Sequence, residues 1–586
     1  MRQWMVAAKK ADFYAIAEKF HVDPVVARII RNREVIGEKN IRIYLGGNLS
    51  DLSDPHQMKD MDRLVEILAQ KIRKQVHIRI IGDYDVDGVT SSHLFLTALR
   101  RVGAKVDVVI PHRIQDGYGL SLHLLQQAKE DGVDTILTCD NGIAAIDEIA
   151  WAKAQKMTVL VTDHHAVPFE EHEGRRTEKK SLADAVVNPH QQDCRYPYKE
   201  LCGAGVAWNV IRVLYENYDM DKREAEDLLD FVAMATVCDV MSLTGENRIL
   251  VKEGLKRIRH TKNIGLQALM QACNVQPENI SAYHFGYVLG PCVNATGRLD
   301  TARHALRLFE TGQETEAEEI ARDLVDLNQE RKELTLQGVE MAKKLCEEGG
   351  YENDPVLVLF LPDVHESIAG LIAGRIREMY NRPVFVLTRG EEGVKGSGRS
   401  TENYSMYENM CGCAELFTKF GGHPMAAGLS LPEENVEKFR RKINENCPLT
   451  VEEVCPDIHI DMAMPVGYAS TELVHQFALL EPFGKDNPSP LFADRNLSIS
   501  RMWVIGKNRN VLRMSVLSEY GQPVPVIFFG DVETLFAYFT EKFGQEAVEN
   551  ALHGRKNRIL FSMVYTAKID FYQGNENLQL EMKYYR

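Results

Sequence analysis

Apolar runs rich in valine and isoleucine alternate with stretches of helical periodicity from about Val76 onward. The runs predict short buried strands near residues 77–81, 105–110, 135–138 and 158–161. Amphipathic helices are predicted in the intervals, for example over residues 88–102 and 143–155. Because strands that alternate with helices form parallel sheets, the pattern predicts an open, doubly wound α/β domain.

The pattern changes twice toward the C-terminus. Leucine and methionine recur at near-heptad spacing over residues 314–348, and Gly349-Gly350 closes the run, so one long connector helix is predicted. A second, smaller α/β domain is predicted from Pro355 to about Pro448. Beyond about Pro456, short alternating segments predict a small β-barrel, for which an OB-fold is one candidate. The first 50 residues predict only a small N-terminal element.

The composition is that of a large globular protein, with 586 residues of which 45% are hydrophobic and 26% charged. No run reaches the roughly 18 uninterrupted apolar residues of a membrane span, and the start lacks a signal-peptide layout, so we predict a soluble cytoplasmic protein with no membrane partner. The 11 cysteines contain no Cys-x-x-Cys pair, which disfavours a disulfide scaffold and structural zinc. The net charge of −15 does not exclude a nucleic-acid substrate, because a basic channel can be local.

Acidic residues and histidines follow the predicted strands where the strands end, and a later apolar run over residues 231–237 ends in the same way. The residues concerned are Asp83, Asp85, Asp87, Asp140, Asp163, His164, His165 and Asp239. In an open parallel sheet, ligands bind beyond the carboxyl ends of the strands. Each aspartate alone would be an ordinary helix cap. A group of carboxylates in one crevice, however, is unfavourable unless cations neutralise it. The set therefore predicts a metal centre.

The types of ligand indicate which metal this centre would hold. Oxygen ligands with one or two imidazoles and no thiolate favour Mn²⁺ or Mg²⁺ over structural zinc. Two such ions about 3.5–4 Å apart clamp a phosphoryl group for in-line displacement. The residues themselves therefore predict metal-assisted phosphoester hydrolysis and leave the substrate open.

The order of these residues resembles the four motifs of the DHH phosphoesterase superfamily: Asp-x-Asp-x-Asp-Gly after a strand, a lone aspartate, Asp-His-His and a downstream aspartate. The resemblance implies two Mn²⁺ ions, or Mg²⁺ in their place, held by Asp83, Asp85, Asp87, Asp140, His164 and Asp239. Asp140 is the implied bridge, and Asp83 is either a ligand or the residue that orients one. His165 is implied to contact the scissile phosphate or to assist proton transfer, and Asp163 to fix a histidine tautomer.

Two further regions resemble the RecJ-type exonucleases of this superfamily. The segment from Pro291 to Leu299 is similar to the end of their catalytic core and implies that Arg298 holds a phosphate. Glycine-rich strings at residues 396–400 and 421–428 resemble motifs of the DHHA1 domain, although the string at residues 396–400 alone would be an ordinary flexible loop. Glycine lets a backbone approach a phosphate, and arginine binds it through two hydrogen bonds. The implied phosphate ligands are Ser397, Arg399, Gly421, Gly422 and His423.

The segment from Leu480 to Pro490 is similar to the entry of RecJ proteins into their OB-fold. Small DHH pyrophosphatases and oligonucleotide phosphodiesterases lack such a β-rich extension. An OB-fold binds single strands by base stacking and a basic groove. The candidates for these contacts are Tyr565, Phe571, Arg509 and Arg513, and the aromatic pair is equally compatible with the barrel core.

The resemblance implies a complete architecture and activity. The implied fold is an α/β protein with a DHH parallel-sheet core, a long helix, a smaller DHHA1 α/β domain and a β-rich OB-like domain. The predicted bounds are an N-terminal segment 1–50, a DHH domain 51–313, a connector helix 314–350, a DHHA1 domain 351–450 and an OB-like domain 455–586.

The implied function is 5′-to-3′ hydrolysis of single-stranded DNA to mononucleotides in DNA repair and recombination. Single-strand-binding protein and a helicase are the candidate protein partners. Two alternatives stay open. One is a DHH phosphodiesterase acting on short oligonucleotides or cyclic dinucleotides, and the other is a non-catalytic replication scaffold. The presence of Asp or His at every expected ligand position disfavours the scaffold.

Overall fold

The computed structural model of the chain describes residues 3–113, 116, 119–172, 175–351, 353–390, 393–455, 457–506, 509–572 and 574–586. The chain folds into two compact units. The first comprises residues 52–241 and 249–456, and the second comprises residues 3–51, 242–248 and 457–586. Across the described ranges, every helix is too short or too polar to span a membrane.

The first unit contains a five-stranded parallel sheet, here called the catalytic sheet. In spatial order its strands are Val106–Val109, Ile78–Ile81, Thr135–Cys139, Thr158–Thr162 and Ala185–Val187. The strands predicted from apolar runs are all present, which confirms the α/β class. Ile78–Ile81 and Thr135–Cys139 are buried along their whole length, as expected for inner strands of a sheet covered on both faces.

Helices and one short hairpin complete this half of the unit. The hairpin strands are Phe169–His172 and Arg175–Glu178. The α-helices are Met61–Arg73, Val86–Arg101, Leu122–Glu130, Ile146–Ala154, Gly203–Asn217, Lys222–Glu226, Leu229–Cys238, Gly245–Ile258, Ile264–Ala272, Ala282–His284, Gly290–Leu299 and Arg303–Glu310, with a π-helix at Phe285–Leu289. Short 3₁₀ turns lie at Pro55–Gln57 and Pro277–Asn279.

The apolar run over residues 231–237 is not the end of a strand, contrary to the sequence-based expectation. It forms part of the helix Leu229–Cys238, and Asp239 is the residue that caps its C-terminus. Every residue from Leu229 to Thr236 is buried. A helix that is apolar on all sides has no visible periodicity, so the sequence pattern cannot distinguish it from a buried strand.

The helix Glu314–Glu348 covers the run of near-heptad spacing and leads into a second sheet of five strands. In spatial order these strands are Lys419–His423, Ala426–Leu431, Gly393–Arg399, Val384–Gly390 and Leu357–Phe360, of which only the last pair is parallel. The accompanying helices are Glu366–Tyr380, Met406–Cys411 and Val436–Glu445, with 3₁₀ turns at Ala414–Leu416 and Glu433–Asn435.

The two glycine-rich strings lie on strands of this second sheet rather than in flexible loops. Ser397 and Gly421 both pair with Gly428 of the strand between them. A Cβ at Gly396 would lie 2.4 Å from Leu387, so this glycine is required by packing. A Cβ at Gly421 would have no neighbour within 4 Å, so this backbone faces open space. The strings therefore present backbone at one accessible face of a rigid sheet.

One buried histidine lies in the helix Val86–Arg101. His93 is 5% exposed, and its ring centroid is 4.5 Å from that of Phe231 and 5.9 Å from that of Phe309. Its Nδ1 has no hydrogen-bond partner among the described residues. Burial, with a smaller contribution from the charge of Arg100, lowers the pKa of His93 to about 3. The folded protein therefore holds this imidazole neutral.

Replacing His93 with leucine is expected to stabilise the protein more at pH 5 than at pH 8. In the unfolded chain His93 has a pKa near 6.5 and binds a proton below that pH, whereas in the folded protein it stays neutral. The free energy of unfolding therefore falls as the pH drops below 6.5. The two pKa values correspond to a loss of about 2 kcal/mol by pH 5. Thermal unfolding of both proteins at pH 5, 6 and 8 measures the difference. A difference in Tm that does not depend on pH would contradict the prediction.

The second unit is built on a closed β-barrel. Its strands are Phe492–Ile505, Val511–Leu517, Pro523–Phe529, Leu560–Tyr572 and Asn575–Tyr585. The first of them pairs with both the second and the fourth, which closes the barrel. Such a small closed barrel agrees with the predicted OB-like class.

Further elements of the second unit surround the barrel. The strands are Trp4–Val6, Ile458–Ile460 and Met462–Ala463, and the helices are Phe13–Phe20, Pro24–Asn32, Glu38–Gly46, Thr471–Phe477, Val532–Phe543 and Gln545–Leu552. Short 3₁₀ turns lie at Leu49–Asp51, Val466–Tyr468 and Ala478–Leu480.

The N-terminal segment that the sequence left unassigned is an integral part of this unit. The strand Trp4–Val6 pairs in parallel with Ile458–Ile460. Arg33 and Asp461 form an ion pair at 2.8 Å in which the side chains are only 9% and 7% exposed. The Tyr44 hydroxyl donates to Asn487 Oδ1 at 2.9 Å. The two ends of the described chain therefore share one hydrophobic core.

Candidate metal centre and phosphate pocket

Three neighbouring strands of the catalytic sheet bring the predicted metal ligands to one edge. Ile81 pairs with Thr138 on the adjacent strand, and Cys139 pairs with Thr162 on the next. The three strands therefore end at nearly the same level, and the loops that follow them start side by side. These loops carry Asp83, Asp85, Asp140, Asp163, His164 and His165, and Asp87 lies in the first turn of the helix Val86–Arg101.

His164 lies at the centre of the cluster, although one of its neighbours comes from a helix. Its Nε2 atom is 3.1 Å from a carboxylate oxygen of Asp140, 3.6 Å from Asp239 and 3.7 Å from Asp87. This nitrogen is buried and makes no hydrogen bond within the part of the chain that the structure describes. Several ligand atoms thus converge on one small volume, as they do around a cation.

Asp140 lies between two groups of such atoms. The first group consists of one ligand atom each from Asp140, His164 and His165, and the second of one each from Asp83, Asp85 and Asp140. Within each group the atoms lie within 4.8 Å of one another. Asp140 adopts a left-handed backbone conformation with φ of 61°, which aspartate and asparagine tolerate better than most residues. The side chain of Asp140 is therefore shared by two neighbouring groups of candidate ligand atoms.

Asp87 is oriented by the N-terminus of the helix Gly203–Asn217. The backbone N–H groups of Gly203 and Ala204 donate to its two carboxylate oxygens at 2.6 and 2.7 Å. A Cβ at position 203 would lie 2.6 Å from the Cβ of Asp140, so only glycine permits this close approach. The positive end of the helix dipole favours the charged carboxylate.

Asp163 orients the second histidine of the Asp-His-His motif. Its Oδ1 accepts hydrogen bonds from the His165 Nδ1 atom at 2.8 Å and from the backbone N–H groups of His164 and His165. Its Oδ2 accepts from the backbone N–H of Ile143 at 2.9 Å. Burial opposes the charge on Asp163, but the hydrogen bond and charge of His165 lower its pKa overall. Asp163 thus fixes the ring of His165.

The carboxylates of Asp83 and Asp140 are held back from ionisation. Burial raises the pKa of Asp83 well above its usual value, and the charge of Asp85 raises it further. Burial and the charge of Asp87 have the same effect on Asp140. Burial also raises the pKa of the Cys238 thiol, so no thiolate is offered nearby. Repelling carboxylates with an imidazole and no thiolate fit a divalent cation such as Mn²⁺ or Mg²⁺.

A pocket of about 430 Å³ lies beside this centre. Its walls come from the catalytic half and from the second sheet, both within the first unit. They include Tyr84, Arg113, Ser397, Lys419 and Gly421. Tyr84 lies between two of the predicted ligands in sequence, so the pocket and the metal centre share a wall.

Partly buried guanidinium groups lie around the pocket. Arg298 donates to the carbonyl of Ser367, a wall residue, at 2.6 Å, and Arg399 donates to the hydroxyl of Ser397 at 3.3 Å. Burial, together with nearby positive charges, lowers the pKa of Arg298 to about 9. These charges belong to Arg113, Arg331 and Arg399. Repulsion between buried cations is relieved by an anion, so the pocket is suited to a phosphate group.

The structure separates the predicted phosphate ligands into two sets. Ser397 and Gly421 line the pocket, and Arg298 and Arg399 lie against its wall. Gly422 and His423 are exposed at the end of their strand and are not among the residues lining it.

Sequence reasoning missed Arg113 and Tyr84 as wall residues. The Arg113 guanidinium lies 4.8 Å from the centroid of the Tyr84 ring. Arg113 follows the strand Val106–Val109 and thus lies at the same sheet edge as the acidic loops. Applying the strand-end argument to basic residues as well as acidic ones would have found it.

The second unit offers its own candidate contacts, with one correction. Tyr565 is completely buried, and its hydroxyl donates to the carbonyl of Met464 at 2.9 Å, so it belongs to the barrel core. Phe571 is 70% exposed, and Arg509 and Arg513 are exposed as well. Trp503, which sequence reasoning missed, is 38% exposed and pairs across the sheet with Arg513.

The sequence matches three domain families in order along the chain. It matches the DHH family, N-terminal domain, over residues 77–236. It matches the DHHA1 domain over residues 353–447 and the RecJ OB domain over residues 460–584.

Full-length relatives and a solved structure agree with these matches. The chain is 32% identical to the single-stranded-DNA-specific exonuclease RecJ of Haemophilus influenzae, with 96% of each protein covered. It is 33% identical to the RecJ of Bacillus subtilis over 87% of this chain, and it spans 63% of that protein's length. The fold resembles the crystal structure of RecJ in complex with Mn²⁺ from Thermus thermophilus, with a TM-score of 0.81 and 25% identity over 100% of this chain and 79% of that one.

Proposed function

Because this chain belongs to the RecJ family of single-stranded-DNA-specific exonucleases, we propose that it is a metal-dependent hydrolase of single-stranded DNA. It removes mononucleotides from the 5′ end. The barrel unit binds the strand, and the first unit holds the chain end and carries out hydrolysis.

The position of Tyr84 carries this proposal. Tyr84 is flanked by Asp83 and Asp85 of the metal centre and also lines the phosphate pocket. A terminal phosphate bound in the pocket brings the next phosphodiester to the adjacent metal centre. An enzyme that holds a chain end beside its hydrolytic residues cuts one nucleotide from that end.

The charge of the pocket favours a terminal phosphate over an internal one. A terminal phosphate monoester carries up to two negative charges and three oxygens without an ester bond, whereas an internal diester carries one charge. Arg298 and Arg399 can each offer a planar pair of N–H donors to such a group. In a strand with a 5′-phosphate, this selection sets the direction of degradation.

Six side chains would hold the ions: Asp83, Asp85, Asp87, Asp140, His164 and Asp239. We propose two Mn²⁺ ions, with Mg²⁺ as a weaker substitute. When bound, such ions stabilise the charge that develops on the phosphoryl group and activate water as the nucleophile. The protein's contribution is to orient the carboxylates, as Gly203 and Ala204 orient Asp87.

His165 is the proposed proton donor. Burial opposes its charge, but the hydrogen bond to Asp163 and the nearby carboxylate charges raise the pKa of His165 to about 9. In the metal-free protein the imidazole is therefore protonated at neutral pH, with Nδ1 committed to Asp163. Its Nε2–H group donates to the scissile phosphate or to the departing 3′ oxygen.

The proposed setting is DNA repair and recombination in the cytoplasm. Single-strand-binding protein and a helicase are the proposed partners, because this enzyme needs its substrate as an exposed single strand. Its own interaction with that strand is supported by exposed aromatic and basic residues of the barrel, namely Trp503, Phe571, Arg509 and Arg513.

Hydrolysis of a single-stranded oligonucleotide labelled separately at each end tests the proposal. With Mn²⁺, the 5′ label is expected to appear at once as a mononucleotide, while the 3′-labelled strand shortens gradually. Removing the Mn²⁺ with a chelator should stop both the release of the 5′ label and the shortening of the 3′-labelled strand. Rapid release of the 3′ label, or intact long strands with cleavage of dinucleotides, would overturn the proposed polarity or substrate. Inactivity on both substrates would support the scaffold alternative.

A further inference from the structure

Residues 282–299 form one continuous helical run beside the metal centre, here called the 282–299 helix. Its middle packs on the end of the helix Leu229–Cys238, because the Cys238 thiol donates to the Phe285 carbonyl at 3.3 Å. A Cβ at Gly290 would lie 2.3 Å from the sulfur of Cys238. This packing fixes the 282–299 helix next to Asp239, the residue that follows Cys238.

The C-terminal half of the same helix supports residues 83–86, here called the metal loop, and reaches the phosphate pocket. The Asn294 side-chain oxygen accepts a hydrogen bond from the Val86 N–H at 3.2 Å. A Cβ at Gly297 would lie 2.4 Å from the carbonyl oxygen of Tyr84. Arg298 then contacts the pocket wall at Ser367. The 282–299 helix therefore passes three features in turn. It lies first beside Asp239, then against the metal loop, and finally at the phosphate pocket.

Two tyrosines lie at the opposite end of this helix from the pocket. Tyr283 is 61% exposed and Tyr287 is 71% exposed. Their rings stack on each other, with centroids 5.1 Å apart and planes inclined by 23°. Tyr287 lies in the π-helix Phe285–Leu289, a rare conformation that occurs often at functional sites. A stacked pair of aromatic rings so exposed to solvent contributes little to a core and presents a flat apolar surface.

From this arrangement we infer that Tyr283 and Tyr287 form a stacking platform for bases on the 3′ side of the scissile phosphodiester. The inference rests on the proposed function, since it concerns the path of the same strand. With the 5′-phosphate at the Arg298 end and hydrolysis at the metal loop, the remaining strand continues past Asp239 toward the two tyrosines.

The distances along the helix agree with this path. At 1.5 Å per residue, Tyr287 and Tyr283 lie about 10 and 16 Å from Asn294 along the helix axis. Stacked bases repeat at about 3.4 Å, so the platform corresponds to roughly the third to fifth nucleotide beyond the metal loop. Stacking on an aromatic ring tolerates any base, as a nuclease that digests arbitrary sequence requires.

Steady-state kinetics on substrates of different length test the platform. The double variant Tyr283→Ala/Tyr287→Ala is compared with wild type and with Tyr283→Phe/Tyr287→Phe, which keeps both rings. On 5′-phosphorylated single strands of about 12 nucleotides, the alanine variant should raise KM about tenfold or more, with kcat little changed. The phenylalanine variant should behave as wild type. On a 5′-phosphorylated dinucleotide, which is too short to reach the platform, all three should have the same kcat/KM.

Two results would overturn the inference: an unchanged KM on long strands, or an equal loss on the dinucleotide and the long strand. A second measurement does not depend on turnover. Strands carrying one 5-bromodeoxyuridine at successive positions are crosslinked by light in chelator, and the crosslinked tyrosine is identified by mass spectrometry. Crosslinks to Tyr283 or Tyr287 should appear only from about the third position inward, and their absence counts against the platform. If wild type bound the strand but did not degrade it, the proposed function would fail while the crosslink still tested the platform.

Discussion

Replacing Asp140 with asparagine is expected to reduce kcat on single-stranded DNA by more than about 10³-fold. Outer-shell partners of a metal ligand typically contribute 10–100-fold, and Asp140 belongs to two of the groups of candidate ligands. Asparagine keeps the shape of the side chain and tolerates the φ of 61° at this position. The loss would therefore reflect the missing charge, and 5′-mononucleotide release at saturating Mn²⁺ measures it.

When the ions are removed, the same substitution should raise the thermal stability, although it lowers kcat. Burial and the charges of Asp87 and Asp85 raise the pKa of Asp140, so its ionised form destabilises the metal-free fold at neutral pH. In chelator the variant should therefore have a higher Tm than wild type, and the increase in Tm on adding Mn²⁺ should shrink.

The matched control is Asp230→Asn. Asp230 is also buried, at 3% exposure, but its carboxylate accepts hydrogen bonds from the Thr261 hydroxyl at 2.7 Å and the Phe231 N–H at 2.8 Å and lies outside the ligand groups. Its kcat should stay within about twofold of wild type. A comparable loss in both variants, or full activity in Asp140→Asn, would argue against Asp140 as a metal ligand.

Replacing Arg298 with alanine is expected to remove the preference for 5′-phosphorylated strands. Truncating one partner of a buried, charged hydrogen bond costs about 2–5 kcal/mol, which corresponds to roughly 30- to 4,000-fold in kcat/KM. The loss should be large for 5′-phosphorylated strands and small for strands with a 5′-hydroxyl. Arg298→Lys keeps the charge but not the planar pair of donors, so it should recover only part of the loss. A competition assay with a 5′-phosphorylated and a 5′-hydroxyl strand measures the ratio of the two kcat/KM values directly.

Arg375→Ala is the control, because the side chain of Arg375 is 70% exposed on the helix Glu366–Tyr380. It should leave the preference unchanged. If Arg298→Ala lowered kcat/KM equally on both strands, Arg298 would not discriminate between chain ends. Its role would then be to support the fold through its hydrogen bond to Ser367.

The metal centre was predictable because its residues follow strands that any parallel sheet aligns. Asp83, Asp140 and His164 needed only the periodicity of the chain and the rule that ligands gather at carboxyl ends. Asp239 was included because it follows an apolar run, although that run is a uniformly apolar helix that the pattern cannot distinguish from a strand. The orientation of Asp87 by Gly203 and Ala204 was beyond sequence reasoning, because it joins segments more than 100 residues apart.

The phosphate pocket was predicted only in part. Ser397 and Arg399 came from a motif, but the motif does not reveal that it forms a strand paired with Gly428. The wall contributed by Tyr84 and Arg113 depends on how two sheets approach each other, which local patterns do not encode. Similarly, Phe571 and Tyr565 lie six residues apart on the same face of one strand, so strand alternation does not separate them. Tyr565 is buried in the barrel core, whereas Phe571 is exposed beside the hairpin turn, opposite Glu576.

The shared core of residues 3–51 and the barrel has a consequence for biosynthesis. During translation, the helices Phe13–Phe20, Pro24–Asn32 and Glu38–Gly46 emerge about 400 residues before the barrel strands against which they pack. At about 5–20 residues per second, their apolar faces stay uncovered for roughly 20–80 s. The nascent chain thus carries an early hydrophobic segment that only late synthesis can shield, which makes it a natural client for ribosome-associated chaperones.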